Sequence, residues 1–271
     1  MNEQTTPSSS DSSISKTFWR QKRYTIPLII TFIITAIILT CAIAFSIYIG
    51  TYSRADMDAL DEFANDYITS DISVEYNKNG TITVKEKSSA PTTGIIFYPG
   101  GKVENKAYIP LMQKCAESGV LCIIAKMPFN LAFFNTGAAN SIKKSHPEIS
   151  SWYLAGHSLG GVAASAHIKK HVEEFDGLIL LGSYSSTDLS DTKINVLTIR
   201  GTNDNVVTPT DHNENLKNLP PRYTEAFIEG GCHAYFGMYG NQKGDGTPTI
   251  SPSEQIIQAA YIITNFIKSN P

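Results

Sequence analysis

Six short apolar runs, none interrupted by a charge, mark the second half of this chain: 94–98, 120–125, 152–155, 178–181, 196–199 and 226–228. A strand with one wet face alternates apolar and polar residues, whereas a strand covered on both faces reads as a continuous apolar run. Between the runs lie stretches with helical character, at 104–118, 159–173, 208–218 and 254–269. In the last of these, Ile256, Ile257, Ala260, Ile263 and Ile267 recur at helical spacing. Strands alternating with helices imply an α/β architecture, a mainly parallel, doubly wound sheet over 91–271.

Upstream the chemistry is different. Residues 24–53 carry no charge, and 26–49 form an apolar stretch of 24 residues. As a helix it would span about 36 Å, against a hydrocarbon layer of about 30 Å. The expected organisation is a disordered cytoplasmic tail at 1–24, a transmembrane anchor at 25–50, and a linker with a β-hairpin at 51–90. Lys16, Arg20, Lys22 and Arg23 flank the apolar stretch on its N-terminal side. They predict a single-pass protein of the cell membrane, with its N-terminus in the cytoplasm and its C-terminal domain outside. A cleaved signal peptide, with Ala42-Ile43-Ala44 as its small-residue site, is the alternative. The apolar run continues past that site, which favours an uncleaved anchor. Within 71–86, Ile72, Val74 and Tyr76 alternate with polar residues, and Asn79-Gly80 signals a tight turn. The segment 127–150 reads as irregular and as partial cover for a site.

Composition narrows the function. With 22 Lys+Arg against 25 Asp+Glu, the net charge is -3, and no basic surface for nucleic acid is expected. A hydrophobic share of 42% excludes a wholly disordered chain. Four cysteines do not make a disulfide-dense scaffold.

Three residues carry the chemical argument. Ser158 lies in Gly156-His157-Ser158-Leu159-Gly160, between an apolar run and a small-residue helical pattern. A sharp strand-to-helix turn there would lift the hydroxyl clear of the sheet, and the helix N-terminus would offer N–H groups to an oxyanion. Asp204 follows the run 196–199, where a carboxylate is placed to orient a histidine. Asp188 and Asp191 are the reserve acids. His233, in Gly230-Gly231-Cys232-His233, follows the run 226–228. The order serine, acid, histidine is the one that nucleophile-elbow hydrolases use. Tyr98-Pro99-Gly100-Gly101-Lys102 ends the first run. The expected oxyanion hole is the N–H of Leu159 with that of Gly101, and Lys102 is the weaker second choice.

On these residues, 93–269 resembles the α/β-hydrolase superfamily. It is most similar to the small, capless bacterial branch related to dienelactone hydrolases and carboxylesterases. The segments 127–131 and 244–246 also look like parts of that branch, without an evident chemical role. Dienelactone hydrolases use a cysteine nucleophile, and this chain has Ser158 at that position. The resemblance implies a serine hydrolase that cleaves a carboxylic ester or similar acyl bond, with no cofactor and no metal. Its substrate would be a small-molecule or lipid-like ester, and its membrane partner would be the bilayer around 25–50. The rival readings are an acyltransferase on the same triad and a non-catalytic tethered binding protein. Because His233 must accept a proton, activity is expected to fall below about pH 6.5, where an ordinary histidine becomes charged.

Other residues read as structural. His157 is expected to support the elbow. His167 and His171 lie four apart, but Ile168 stands where a zinc-binding H-E-x-x-H helix has glutamate. Cys115, Cys122 and Cys232 read as small buried apolar residues, with a Cys115–Cys122 bridge as the alternative. Phe129, Phe133, Phe134, Tyr235, Phe236 and Tyr239 read as either core or the lining of an acyl pocket.

Overall fold

The structure, a computed structural model, describes residues 10–69 and 71–270. The chain divides into two compact units, Met1–Thr51 and Tyr52–Pro271.

The first unit is one helix, α1 (Ser10–Gly50). Its segment Ile26–Gly50 has a mean hydropathy of 2.8 and is long and apolar enough to cross a membrane. Thr31, Thr35, Thr40 and Ser46 each donate a hydroxyl to the carbonyl four residues earlier. These four hydroxyls are thus satisfied within the helix itself. Residues 1–9 of the expected tail lie outside the described residues. From Ser10 onward that tail is helical, which differs from the expectation of disorder. The physical reason is local: Lys16, Arg20, Gln21, Lys22 and Arg23 are good helix formers, and they extend a helix already nucleated by the apolar stretch.

The second unit is built on one eight-stranded sheet. Its strands are β1 (Ile72–Tyr76), β2 (Ile82–Glu86), β3 (Thr93–Tyr98), β4 (Leu121–Ile124), β5 (Ser151–His157), β6 (Gly177–Leu181), β7 (Asn195–Gly201) and β8 (Thr224–Ile228). Their order is β1-β2-β4-β3-β5-β6-β7-β8. The six strands from β3 to β8 are parallel, matching the six apolar runs. The hairpin of β1 and β2 joins the sheet edge, where β2 runs antiparallel to β4. The hairpin therefore belongs to the main sheet.

Alternate residues of β3 face opposite cores. Ile95 and Phe97 pack with α3 (Ile109–Ala116) and α7 (Pro252–Ser269). Ile96 and Tyr98 pack with α4 (Ala138–Lys144) and α5 (Leu159–Ile168). A doubly wound sheet produces this division, and it explains why the strand runs carry no polar alternation. Two helices were not legible in the sequence. One, α2 (Met57–Tyr67), occupies part of the expected linker, is capped by the Asp56 side chain on Ala59 N–H, and buries Leu60 and Phe63. The other is α4, within the segment expected to be irregular. The helix α6 (Pro209–Asn215) completes the unit.

The winding reverses between β3 and β5, which are neighbours in the sheet but lead into helices on opposite faces. A crevice outside the carboxyl ends of the strands at such a point is where open α/β sheets bind ligands. Gly100 and Ser158 follow those two ends.

Candidate active site

Ser158 is a non-glycine residue at φ 50° and ψ −125°, between β5 and α5. That backbone is strained by about 1–3 kcal/mol and persists only when its surroundings dictate it. They do so on both sides. Ser158 N–H donates to Leu181 C=O at 3.0 Å, and the buried Ser183 hydroxyl donates to Ser158 C=O at 2.7 Å. The glycines of the motif are required by contact. A Cβ on Gly156 would lie 2.5 Å from the Gly160 and Gly161 backbone, and one on Gly160 would lie 2.2 Å from Tyr98 O. The helix thus starts against the end of β3.

His233 and Asp204 are both completely buried and paired, with Nδ1 to Oδ2 at 2.9 Å. The other carboxylate oxygen, Oδ1, accepts N–H bonds from Val206 and Val207, each at 2.9 Å. A neutral imidazole that donates Nδ1–H to a carboxylate carries its lone pair on Nε2. Nε2 is buried and has no hydrogen-bond partner among the described residues. The Ser158 hydroxyl does not bond to it in this structure; such contacts often tighten only around a substrate. Asp188 is exposed and accepts from Ser190, and Asp191 pairs with Lys169 at the surface. The acid beside His233 is Asp204.

Gly101 lies against Leu159, since a Cβ on it would approach Leu159 Cδ2 to 2.8 Å. Neither residue's N–H meets an acceptor among the described residues. Lys102 N–H, by contrast, donates to Asn130 C=O at 2.7 Å and is already committed.

Four residues that sequence reasoning missed, together with His157, hold this arrangement. Gly182 follows β6 at φ +46°, and a Cβ there would lie 3.0 Å from His233 Nδ1 and 3.2 Å from Asp204 Oδ2. Asp245 accepts from His233 N–H at 3.1 Å through one oxygen and from Ala234 N–H at 2.8 Å through the other. Its motif, 244–246, works on backbone N–H groups. Gln255, buried in α7, brackets Cys232, accepting from its N–H at 2.9 Å and donating to its C=O at 2.7 Å. Tyr108 had no signal beyond being aromatic. Its hydroxyl accepts from Gly100 N–H at 3.0 Å and bonds His157 Nδ1 at 2.8 Å.

The roles in this last chain can be deduced. His157 Nε2 lies 3.0 Å from His233 C=O, which can only accept, so Nε2 carries the proton. Burial, and then the nearby His233, hold the His157 imidazole well below its usual titration range, so the ring is neutral and Nδ1 accepts. Burial raises the Tyr108 hydroxyl above its ordinary range, which keeps it a donor. The sequence Gly100 N–H, Tyr108 O–H, His157 N–H, His233 C=O is therefore a continuous donor–acceptor chain across the site.

The remaining candidates separate clearly. The Cys232 thiol is pushed up to about 12, first by burial and then by Asp245, so at neutral pH it is not a thiolate. Cys115 and Cys122 are buried free thiols. His167 and His171 stack at 4.4 Å on and just beyond α5, with His171 bonded to Glu174. Phe236 and Tyr239 are buried around His157. Phe129, Phe133 and Phe134 are exposed. A groove of about 850 Å³ between the hairpin and the α4 region is lined by Asn77, Lys85, His146 and others, but by none of Ser158, Asp204 or His233.

Comparison with known proteins bears on the fold and the family. No curated protein matches the chain. Among solved structures, the crystal structure of TT1662 from Thermus thermophilus is similar, at 14% identity and a TM-score of 0.54, over 73% of this chain and 97% of that one. At that identity the likeness shows the fold. Residues 94–257, more than half of the chain, match the model of the alpha/beta hydrolase family. The chain belongs to the alpha/beta hydrolase family.

Proposed function

We propose that this protein is a serine hydrolase that cleaves a carboxylic ester or a similar acyl bond. The observation that carries the reading is the buried His233–Asp204 pair at 2.9 Å, whose Nε2 has no partner among the described residues, in a chain that also holds a serine on a strained strand-to-helix turn. Ser158 Oγ attacks the carbonyl carbon while its proton passes to His233 Nε2. Asp204 holds the imidazole and stabilises its charged form. The N–H groups of Leu159 and Gly101 bind the oxyanion. The C–O bond to the alcohol breaks, and the alcohol leaves with the proton from His233. Water, deprotonated by His233, then attacks the acyl-enzyme and releases the acid, which restores the serine.

Residues 182–194, between β6 and β7, insert no further domain, which supports the capless branch. In this reading α1 anchors the protein in the cell membrane, with the basic flank inside and the catalytic unit outside. The test is product analysis. The full chain is incubated with short-chain and long-chain esters, with and without a competing alcohol, beside His233→Ala. Free acid that disappears in the variant supports the hydrolase. A product formed only on the added alcohol would make the protein a transferase, and no acyl product in a folded sample would leave a binding protein.

A further inference from the structure

Large apolar side chains on the surface of the second unit are mostly scattered, but three cluster within six residues: Phe129, Phe133 and Phe134, exposed by 49%, 52% and 54%. Phe129 and Phe134 pack edge to face, with centroids 5.5 Å apart. The cluster is held rather than loose. Phe129 and Asn130 both have positive φ, 56° and 55°. Asn130 C=O takes the N–H of Lys102, directly after Gly101, at 2.7 Å. Gly101 in turn touches Leu159, beside Ser158. Strained backbone tied to a reacting centre is characteristic of ligand clamps. An exposed apolar cluster of this kind on a soluble surface marks a binding site for something apolar.

The same loop is fixed from the start of the second unit: Ser53 N–H donates to Lys102 C=O at 2.7 Å, and Ser53 C=O accepts from Glu104 N–H at 2.9 Å.

We infer that Phe129, Phe133 and Phe134 form an apolar lip that takes the hydrocarbon chain of the acyl group, so that the substrates are long-chain, lipid-like esters and not small polar ones. This rests on the hydrolase reading above and adds the substrate class. A phenylalanine lip supplies area and little directional chemistry, so selectivity should rise with chain length and saturate once the lip is covered.

The test uses the full chain in lipid nanodiscs and two alkyl fluorophosphonates that differ only in the carbon chain on phosphorus, methyl and dodecyl. In each the serine forms a P–O bond, fluoride leaves, and the serine proton leaves through His233. The readout is the ratio of the two inactivation rates, long chain over short. It is compared among the native protein, a Phe129→Ala/Phe133→Ala/Phe134→Ala variant and, as a control, Phe227→Ala, an exposed phenylalanine on β8. The comparison cancels partition of the long probe into lipid. The lip predicts a ratio at least tenfold lower in the triple variant and unchanged in Phe227→Ala. An equal ratio in all three overturns the lip and leaves the hydrolase standing. Absence of labelling by either probe removes the hydrolase reading, and the lip with it.

Discussion

Replacing Tyr108 with phenylalanine removes one oxygen and interrupts the chain that crosses the site. Two buried groups lose their partner: Gly100 N–H, bonded at 3.0 Å, and His157 Nδ1, bonded at 2.8 Å. Each orphaned buried group costs about 1–3 kcal/mol, so the expected loss of stability is about 2–4 kcal/mol, allowing for partial relaxation. That is a large part of the 5–15 kcal/mol typical of a domain. The effect on rate follows from position. Gly100 precedes Gly101, and its N–H is anchored only through this hydroxyl among the described residues. Deleting an oxyanion donor outright costs about 100- to 1000-fold in kcat; loosening one should cost about 10-fold or more, with KM little changed. Urea unfolding of residues 52–271 measures the first quantity, and ester turnover the second. A stability change below about 0.5 kcal/mol together with an unchanged kcat would refute the deduced donor–acceptor chain.

Three further outcomes follow from the same geometry. Gly182→Ala places a methyl 3.0 Å from His233 Nδ1 at a positive φ, so it should cost about 1 kcal/mol in stability and push the histidine off its acid. Turnover should fall by tenfold or more, and an active, equally stable variant would contradict the contact. Asp245→Asn turns one acceptor toward backbone N–H groups into a donor. It should destabilise the 232–234 loop by about 1–3 kcal/mol and lower kcat, read by thermal unfolding and kinetics. The third outcome concerns pH. The folded protein holds His157 neutral well below the range of an unfolded histidine, so the unfolded chain binds the extra proton as pH falls. Stability from this residue is complete above about pH 6.5 and is lost below it, at up to about 1.4 kcal/mol per pH unit. His167, held down to about 4 by burial and then by His171, acts in the same direction. His157→Gln should flatten the acid limb of a stability–pH curve, and an unchanged limb would assign it to other groups.

The strands of the parallel sheet were legible because burial on both faces leaves only apolar residues to write them. The elbow was legible because close approach at Gly156 and Gly160 admits nothing larger than hydrogen. The antiparallel hairpin announced itself through Asn79-Gly80, although its pairing with β4 did not. What escaped was information carried by distant partners. Tyr108 meets His157 across 49 residues, and Gln255 meets Cys232 across 23. Neither pair has a local signature. Helix α2 was obscured because its apolar face is only Leu60 and Phe63 among Asp58, Asp61, Glu62 and Asp66. The aromatic residues showed the limit in another form. The same residue type fills the core at Phe236 and faces solvent at Phe133.

In the proposed mechanism His233 and Asp204 activate Ser158. Its most direct test is exposure of the protein, beside Ser158→Ala and His233→Ala, to a fluorophosphonate probe, with the modified peptide identified by mass spectrometry. One adduct is expected, on Ser158, absent from the alanine variant at that position and slowed by at least 100-fold without His233. A folded protein that takes up no label, or that reacts equally well without His233, would contradict it.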